Sequence, residues 1–305
     1  MLDEIVQPQV DCSTATDFFE AISPWGPYFG KTPVTEQWLF RGMGKDYELV
    51  PSIFRKDREG RYQLPTRLDV SAYGLLHFAE WDILVRFFEV ADRRGLILPD
   101  DSQELRSILQ TVRSESGKRT IVEGHDDGRA ILRALSLAAL AQHYGVPTRL
   151  LDWTRLPLVA AFFAANRAVH RVDEGDAEGP LVVWAFHFPE IGKQEHVLLL
   201  THPITIVTAP SATNANLRAQ QGVFTLLSPH YTEEEGGTYL PMDQVLQKEH
   251  VALQIPGTKL RKFTLPTREA SELLRLLAKL DITPSAIFPG YGSIIEDLRM
   301  QARWE

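Results

Sequence analysis

The chain holds a single cysteine, Cys12, among its 305 residues. One thiol excludes an intrachain disulfide framework and any metal site built from several thiolates. No run approaches the ~18 consecutive apolar residues of a membrane-crossing helix. Met1 to Val10 also lacks the basic-then-apolar order of a secretory leader. These absences predict a cytoplasmic protein with no membrane partner. Positive charge is in deficit as well. With 32 Lys and Arg against 40 Asp and Glu, the net charge is -8. That excludes wholesale wrapping of nucleic acid or anionic membrane, though not a local basic groove. The histidines show no H-E-x-x-H or comparable ligand spacing, so no metal is expected. Gly42-Met43-Gly44-Lys45 is too short for a phosphate loop, and Ser52 and Thr148 lack a nucleophile-elbow context.

What is present suits a substantial core. Apolar residues make up 44% and charged residues 24%, the balance of a globular protein. Residues 1–12 have little pattern and read as a lead-in. Ser13 or Thr14 can cap a short helix through Phe18 and Ile22, stopped by Pro24. Gln37 to Gly42 is short, aromatic and ended by glycine, which suits a strand. Helical spacing runs from Ser71 to Arg94 and again from Gln103 to about Val112. Val112 to Gly128 is polar and charged and reads as a loop. Arg129 to His143 is one predicted helix, stopped by Gly145 and Pro147. Pro157 opens the next, which ends near Val169. After Asp173 to Asp176 the pattern changes. Leu181–Phe188, Ile204–Thr208, Val223–Leu227, His250–Ile255 and Leu260–Leu265 read as strands, followed by helices over Thr267–Leu280 and Ser293–Ala302. The predicted fold is α+β. A mixed or antiparallel sheet drawn from the second half, plus one early strand, is covered by a mostly helical first half.

One segment stands apart. Gln142-His143-Tyr144-Gly145-Val146-Pro147-Thr148-Arg149-Leu150-Leu151-Asp152-Trp153-Thr154 packs an imidazole, a phenol, a guanidinium, a carboxylate and an indole between two apolar runs, Leu132–Ala141 and Pro157–Ala165. Polar groups so placed need partners, or each costs kilocalories. Recognition or chemistry is the usual reason for such an arrangement.

Trp38-Leu39-Phe40-Arg41-Gly42, then Leu49-Val50-Pro51-Ser52-Ile53-Phe54-Arg55, the Gln142–Thr154 segment, Arg218-Ala219-Gln220-Gln221-Gly222-Val223-Phe224 and Ile287-Phe288-Pro289 occur in the order seen in the FRG-domain family, which this chain resembles over roughly residues 35 to 298. The resemblance implies a lead-in over 1–34, an FRG domain over 35–298 with a helical insertion around 70–128, and a tail over 299–305. Where the family has acidic residues after the Phe-Pro pair, this chain has Gly290-Tyr291-Gly292, so any chemistry those acids do in relatives is either lacking here or supplied from Glu296 or Asp297.

The arrangement also resembles ADP-ribosyltransferases, many of which carry an aromatic-Arg-Gly strand whose arginine meets the cofactor. That resemblance implies a nucleotide-binding, NAD-using transferase acting on a protein or nucleic-acid acceptor, with a toxin or phage-defence setting. By this reading Arg41, Gly42, Tyr144 and Arg218 bind the cofactor, with Gly42 permitting close approach of a phosphate. His143, Asp152 and Gln220 are the catalytic candidates. Gly222 stands nearest to the place where some relatives carry a catalytic glutamate. Structural alternatives stay open for each residue: an Arg41 salt bridge, for example to Asp152; an Arg149–Asp152 pair closing the turn; His143 as a helix C-cap; Gln220 satisfying backbone groups at a strand start. Arg129, Arg133, Arg149, Arg155 and Arg167 form either a basic face or a set of internal ion pairs. Two other functions also remain: a non-catalytic nucleotide or nucleic-acid recognition module, and a nuclease or hydrolase using Asp152 and His143.

Overall fold

A computed structural model describes residues 5–30, 37–57, 59–62, 64–65, 76–114, 127–188, 203–209, 214–227, 239–248 and 257–304. Its strands are β1 (Val10–Asp11), β2 (Trp38–Met43), β3 (Leu151–Thr154), β4 (Pro180–His187), β5 (Ile204–Val207), β6 (Gly222–Leu227) and β7 (Lys259–Pro266). They form one sheet in the order β1-β7-β4-β2-β3-β6-β5. β1 runs parallel to β7 and every other neighbouring pair is antiparallel. The helices are α1 (Ala15–Ile22), α2 (Leu76–Arg93), α3 (Gln103–Val112), α4 (Asp127–Arg133), α5 (Leu135–His143), α6 (Pro157–Asp173), α7 (Ala215–Gln220), α8 (Met242–Gln247), α9 (Ala270–Ala278), α10 (Pro284–Ile287) and α11 (Tyr291–Ala302). The predicted α+β class and mixed sheet are what the chain adopts.

Local chemistry sets many of these boundaries. Thr14 Oγ1 accepts from the Asp17 amide at 3.2 Å and caps α1, as the sequence suggests. Ser102 does the same for α3 and Asn214 for α7. Pro157 occupies the first turn of α6, where its missing N–H leaves no bond unmade.

Strand alternation then sorts the core onto two faces. Phe40, Leu181, Val183, Ala185 and Phe263 pack against α1, α6 and α9. Leu39, Met43, Trp184, Phe186 and Leu260 pack on the opposite face with Met242, Val245 and Leu246 of α8. The helices of the first half, α2 to α5, form a third cluster that closes over Val207 of β5 and Phe224 and Leu226 of β6. This cluster brings the end of α5 to the edge of β3.

Several expectations are corrected. Within the expected lead-in over 1–12, the described residues 5–12 are not loose: Val10 and Asp11 pair with Phe263 and Thr264, Ile5 is buried, and Phe18 and Ile22 beyond them are fully enclosed. Polarity hid a central strand, β3, inside what reads as a turn. The helix expected over Arg129–His143 is two, separated at Ala134. Gln220 ends a short helix rather than opening a strand, and left-handed Gln221 (φ 45°) makes the turn into β6. The expected tail belongs to the body: α11 runs to Ala302, Met300 is buried, and Arg303 pairs with Asp173. Residues 71–75, 115–126 and 250–255, which carry parts of three further sequence expectations, lie outside the described residues. No helix among the described residues is long and apolar enough to cross a membrane.

Two contacts fix the centre. Gly42 faces α6 so closely that a Cβ would lie 1.8 Å from the Ala160 carbonyl oxygen. Its missing side chain therefore serves helix packing, not the approach of a phosphate. Arg149 does not pair with Asp152. It forms a buried ion pair with Glu80 of α2, whose other oxygen accepts from the Arg149 amide at 2.9 Å.

Two outcomes follow for equilibrium denaturation. Gly42→Ala should lose about 3 kcal/mol or more, because the rigid backbone of α6 must move. Glu80→Ala should lose about 3–5 kcal/mol by stranding a buried guanidinium. Wild-type midpoints for either variant would contradict the packing described.

Candidate functional site

β2 pairs with β4 along its whole length, from Trp38↔His187 to Met43↔Val182. On its other edge the register to β3 consists of Phe40↔Thr154 alone. Past that pair, the Arg41 guanidinium reaches across to β3. Nη1 donates to the Asp152 carbonyl at 2.7 Å and lies 2.8 Å from Asp152 Oδ2. The Arg41 side chain is only 10% exposed, whereas that of Asp152 is 62% exposed. The arginine is thus embedded, and its partner carboxylate lies open at the floor of a cleft. The salt bridge entertained for Arg41 and Asp152 from sequence is therefore present.

The other Asp152 oxygen, Oδ1, accepts from Gln142 Nε2 at 3.1 Å. Gln142 is itself oriented through its Oε1 by the hydroxyl of buried Thr148. The Thr148 amide donates to Ser52 Oγ at 3.0 Å, and the Ser52 hydroxyl donates to the Thr148 carbonyl at 3.2 Å. Three separated stretches of sequence, at Arg41, Ser52 and Gln142–Asp152, thus converge on one carboxylate. Enclosure by protein works to raise the Asp152 pKa. The charge and hydrogen bond of Arg41, the residue's own backbone amide and the charge of Arg55 outweigh it, holding the carboxyl below the usual aspartate range.

A cavity of about 280 Å³ opens above this carboxylate, lined by Arg41, Gly42, Gln142, His143, Asp152, Thr154, Gln220, Gly222, Phe163 and Phe288 among others. Of the candidates expected from sequence, Arg41, Gly42, His143, Asp152 and Gln220 meet here. Tyr144 and Arg218 do not line it: Tyr144 is 72% exposed and Arg218 lies exposed on α7. His143 Nε2 accepts from Asn216 Nδ2 at 2.7 Å, and its ring meets Tyr144 edge-on. Gln220 Nε2 donates to the Ile287 carbonyl at 3.3 Å, tying α7 to α10. Gly222 abuts Leu217, whose Cδ1 would lie 2.4 Å from an added Cβ, a contact that a shift of that flexible side chain would relieve. Neither proposed substitute acid lines the cavity. Asp297 caps α10 through Ser285, and Glu296 pairs with Arg299.

The five arginines considered as one basic face are partly spoken for. Arg133 pairs with Glu104, Arg149 with Glu80 and Arg167 with Glu174. Among the described residues, no three His, Cys, Asp or Glu side chains gather closely enough to hold a metal ion. Half-buried Cys12 is inert: burial, then Asp17 and Asp11, push its thiol up to about 11.

Sequence reasoning passed over Gln142 and Arg55 as site residues, though both stand in motifs it singled out. Gln142 carries a side-chain amide at the end of an apolar helix, directly before His143. Arg55 is a charge placed directly after buried Ile53 and Phe54. Each was a polar group adjoining a core segment, the same signal that drew attention to Asp152.

Residues 36–172 match the model of the FRG domain, so that part of the chain carries an FRG domain. The matched segment contains Arg41, Ser52, Gln142, His143, Thr148 and Asp152, whereas Gln220 and Ile287 lie beyond it. No curated protein and no solved structure matches the chain significantly.

The lowered pKa of Asp152 sets a sign for its pH dependence. A carboxylate depressed in the folded state adds stability above its unfolded pKa, and that stability is lost as pH falls through the folded value. The stability difference between wild type and Asp152→Asn should stay constant from about pH 7 to about pH 4 and shrink below it. A difference that grew with acidification in urea melts would reverse this assignment.

Proposed function

We propose that the cleft binds a nucleotide of the NAD kind and that the FRG domain transfers its ADP-ribosyl group to a macromolecular acceptor. The observation that carries this reading is Asp152, an ionised and solvent-open carboxylate held on two sides by Arg41 and Gln142 beside the His143 imidazole. A fixed negative charge at a cleft floor favours positive charge developing on a sugar carbon, because its orientation is set before the reaction begins. In the step envisaged, the bond between the ribose C1′ and the pyridinium nitrogen breaks. Its electron pair leaves with nicotinamide, which becomes neutral. An acceptor nucleophile bonds to C1′ and gives up its proton to solvent.

A second reading has its own support. Asp152 is the one carboxylate lining the smaller cavity among the described residues, and it is committed to Arg41. Gly222 stands where some ADP-ribosyltransferases carry a glutamate. A recognition module that holds a nucleotide without cleaving it fits these two facts.

One experiment separates them. Full-length protein is incubated with labelled NAD and with protein or nucleic-acid acceptors, and free nicotinamide is measured. The transferase reading expects release, and a fall of about a hundredfold or more in Asp152→Asn, the scale of losing one preorganised electrostatic contact. The recognition reading expects no release, but a rise in melting temperature with NAD or ADP-ribose. Saturation at a hundred times Kd adds about 2.7 kcal/mol. Neither release nor a melting shift would overturn both.

A further inference from the structure

Beyond Arg41, Gly42 and Phe163 the cleft opens into a larger cavity of about 790 Å³, to which no role has yet been given. Its volume is that of a small-molecule site. Cations dominate its polar lining: Arg41, Arg55, Lys56 and Arg167, with Glu48 the carboxylate among its described lining residues. Arg41 is taken by Asp152, and Arg167 lies 3.5 Å from Glu174. Arg55 is different. Its Nε donates to the Val50 carbonyl at 2.8 Å, which fixes the guanidinium plane. Among the described residues no carboxylate lies within ion-pair reach of it. It therefore sits beside Arg41 as a like charge that Asp152 offsets without direct contact, an arrangement that an anion would relieve. The Arg41 Nε, buried nine-tenths deep with its side chain, likewise has no partner among the described residues.

The remaining wall is aromatic. Phe54 and Tyr239 stack at 4.0 Å and 11°, Lys56 Nζ lies 5.1 Å from the Tyr62 ring, and Tyr47 leaves 53% of its surface open. A phosphate matches the guanidinium fork of Arg55, and a flat heterocycle matches exposed phenol rings.

We propose that this larger cavity is a subsite for a nucleoside diphosphate, with the phosphates on Arg55 and Lys56 and the base against Tyr47 and Tyr62. The assignment deepens the nucleotide reading of the cleft. It rests on that reading only for the direction in which a longer ligand extends, from Asp152 past Arg41 into the cavity.

Binding of ADP, adenosine, inorganic phosphate and a single-stranded oligonucleotide to full-length protein is the test, with calorimetry on wild type, Arg55→Ala and Tyr47→Ala. Arg55 and Tyr47 are exposed, and unchanged melting midpoints confirm that their variants fold. ADP is expected to bind more tightly than either adenosine or phosphate. Arg55→Ala should weaken it about tenfold or more, the scale of a lost charge-assisted hydrogen bond. Tyr47→Ala should weaken it severalfold. ADP binding of this pattern without nicotinamide release from NAD supports the subsite while removing the transferase reading. NAD turnover with ADP affinity indifferent to Arg55 and Tyr47 overturns the subsite alone. Phosphate binding as well as ADP, or an oligonucleotide binding where ADP does not, also overturns it.

Discussion

Arg41 occupies the place where the central sheet changes from backbone pairing to side-chain pairing. On the β4 edge, β2 has a partner at every residue from Trp38 to Met43, whereas towards β3 the ladder has one register pair. Buried backbone carbonyls need donors, and the Asp152 carbonyl obtains one from the Arg41 guanidinium. The same nitrogen neutralises the Asp152 carboxylate. One side chain therefore joins the two strands and positions the charge that defines the cleft. Gly42 completes the arrangement by drawing α6 against β2, so the strand is fixed from below while its arginine works across its edge.

How far this could be read from the residues depended on what kind of pattern carried it. Periodic apolar spacing located α2, α3, α6 and β4 to β7 closely, because one buried face imposes its period on the sequence. β3 was missed because its buried residues, Leu151 and Trp153, alternate with Asp152 over only four positions, too few for a period to emerge beside so much polarity. β1 escaped for a related reason. Two residues on the sheet edge hold their place by pairing with Phe263 and Thr264, some 250 positions away, and no local signal reports such a partner. Composition likewise could not say which carboxylate meets which guanidinium. Arg149 and Asp152 are three apart, but alternation on an extended segment sends them to different surroundings. Arg149 finds Glu80 on a distant helix, and Asp152 finds Arg41.

The cleft was more legible than the chemistry. Arg41, Gly42, His143, Asp152 and Gln220 come from segments far apart in sequence and line one cavity. Tyr144 does not, because the last turn of α5 directs successive residues to different sides: His143 lines the cavity while Tyr144 stays in solvent. The supports behind Asp152 were harder still. Ser52, Thr148 and Gln142 act through hydrogen bonds whose partners are set by tertiary contact. Such supports hold the Asp152 carboxylate in one orientation, within the tolerance of about 0.5 Å that positioned catalysis or recognition requires.

Charge distribution gives the argument its final step. The whole chain is acidic, yet the two cavities, which share Arg41, Gly42 and Phe163, gather four cations against two carboxylates, Asp152 and Glu48. Such a concentration costs energy, since partial desolvation in the cavity wall and the like charge of Arg41 both disfavour the charge of Arg55. A solvated arginine on an open face would avoid that cost, as Arg133 does by pairing with Glu104. Arg55 instead has its guanidinium pinned by the Val50 carbonyl and left without a counter-ion among the described residues. A fixed cation with no contacting counter-ion beside aromatic walls is a poor device for stability. It is a good one for meeting an anion that arrives with a flat ring attached.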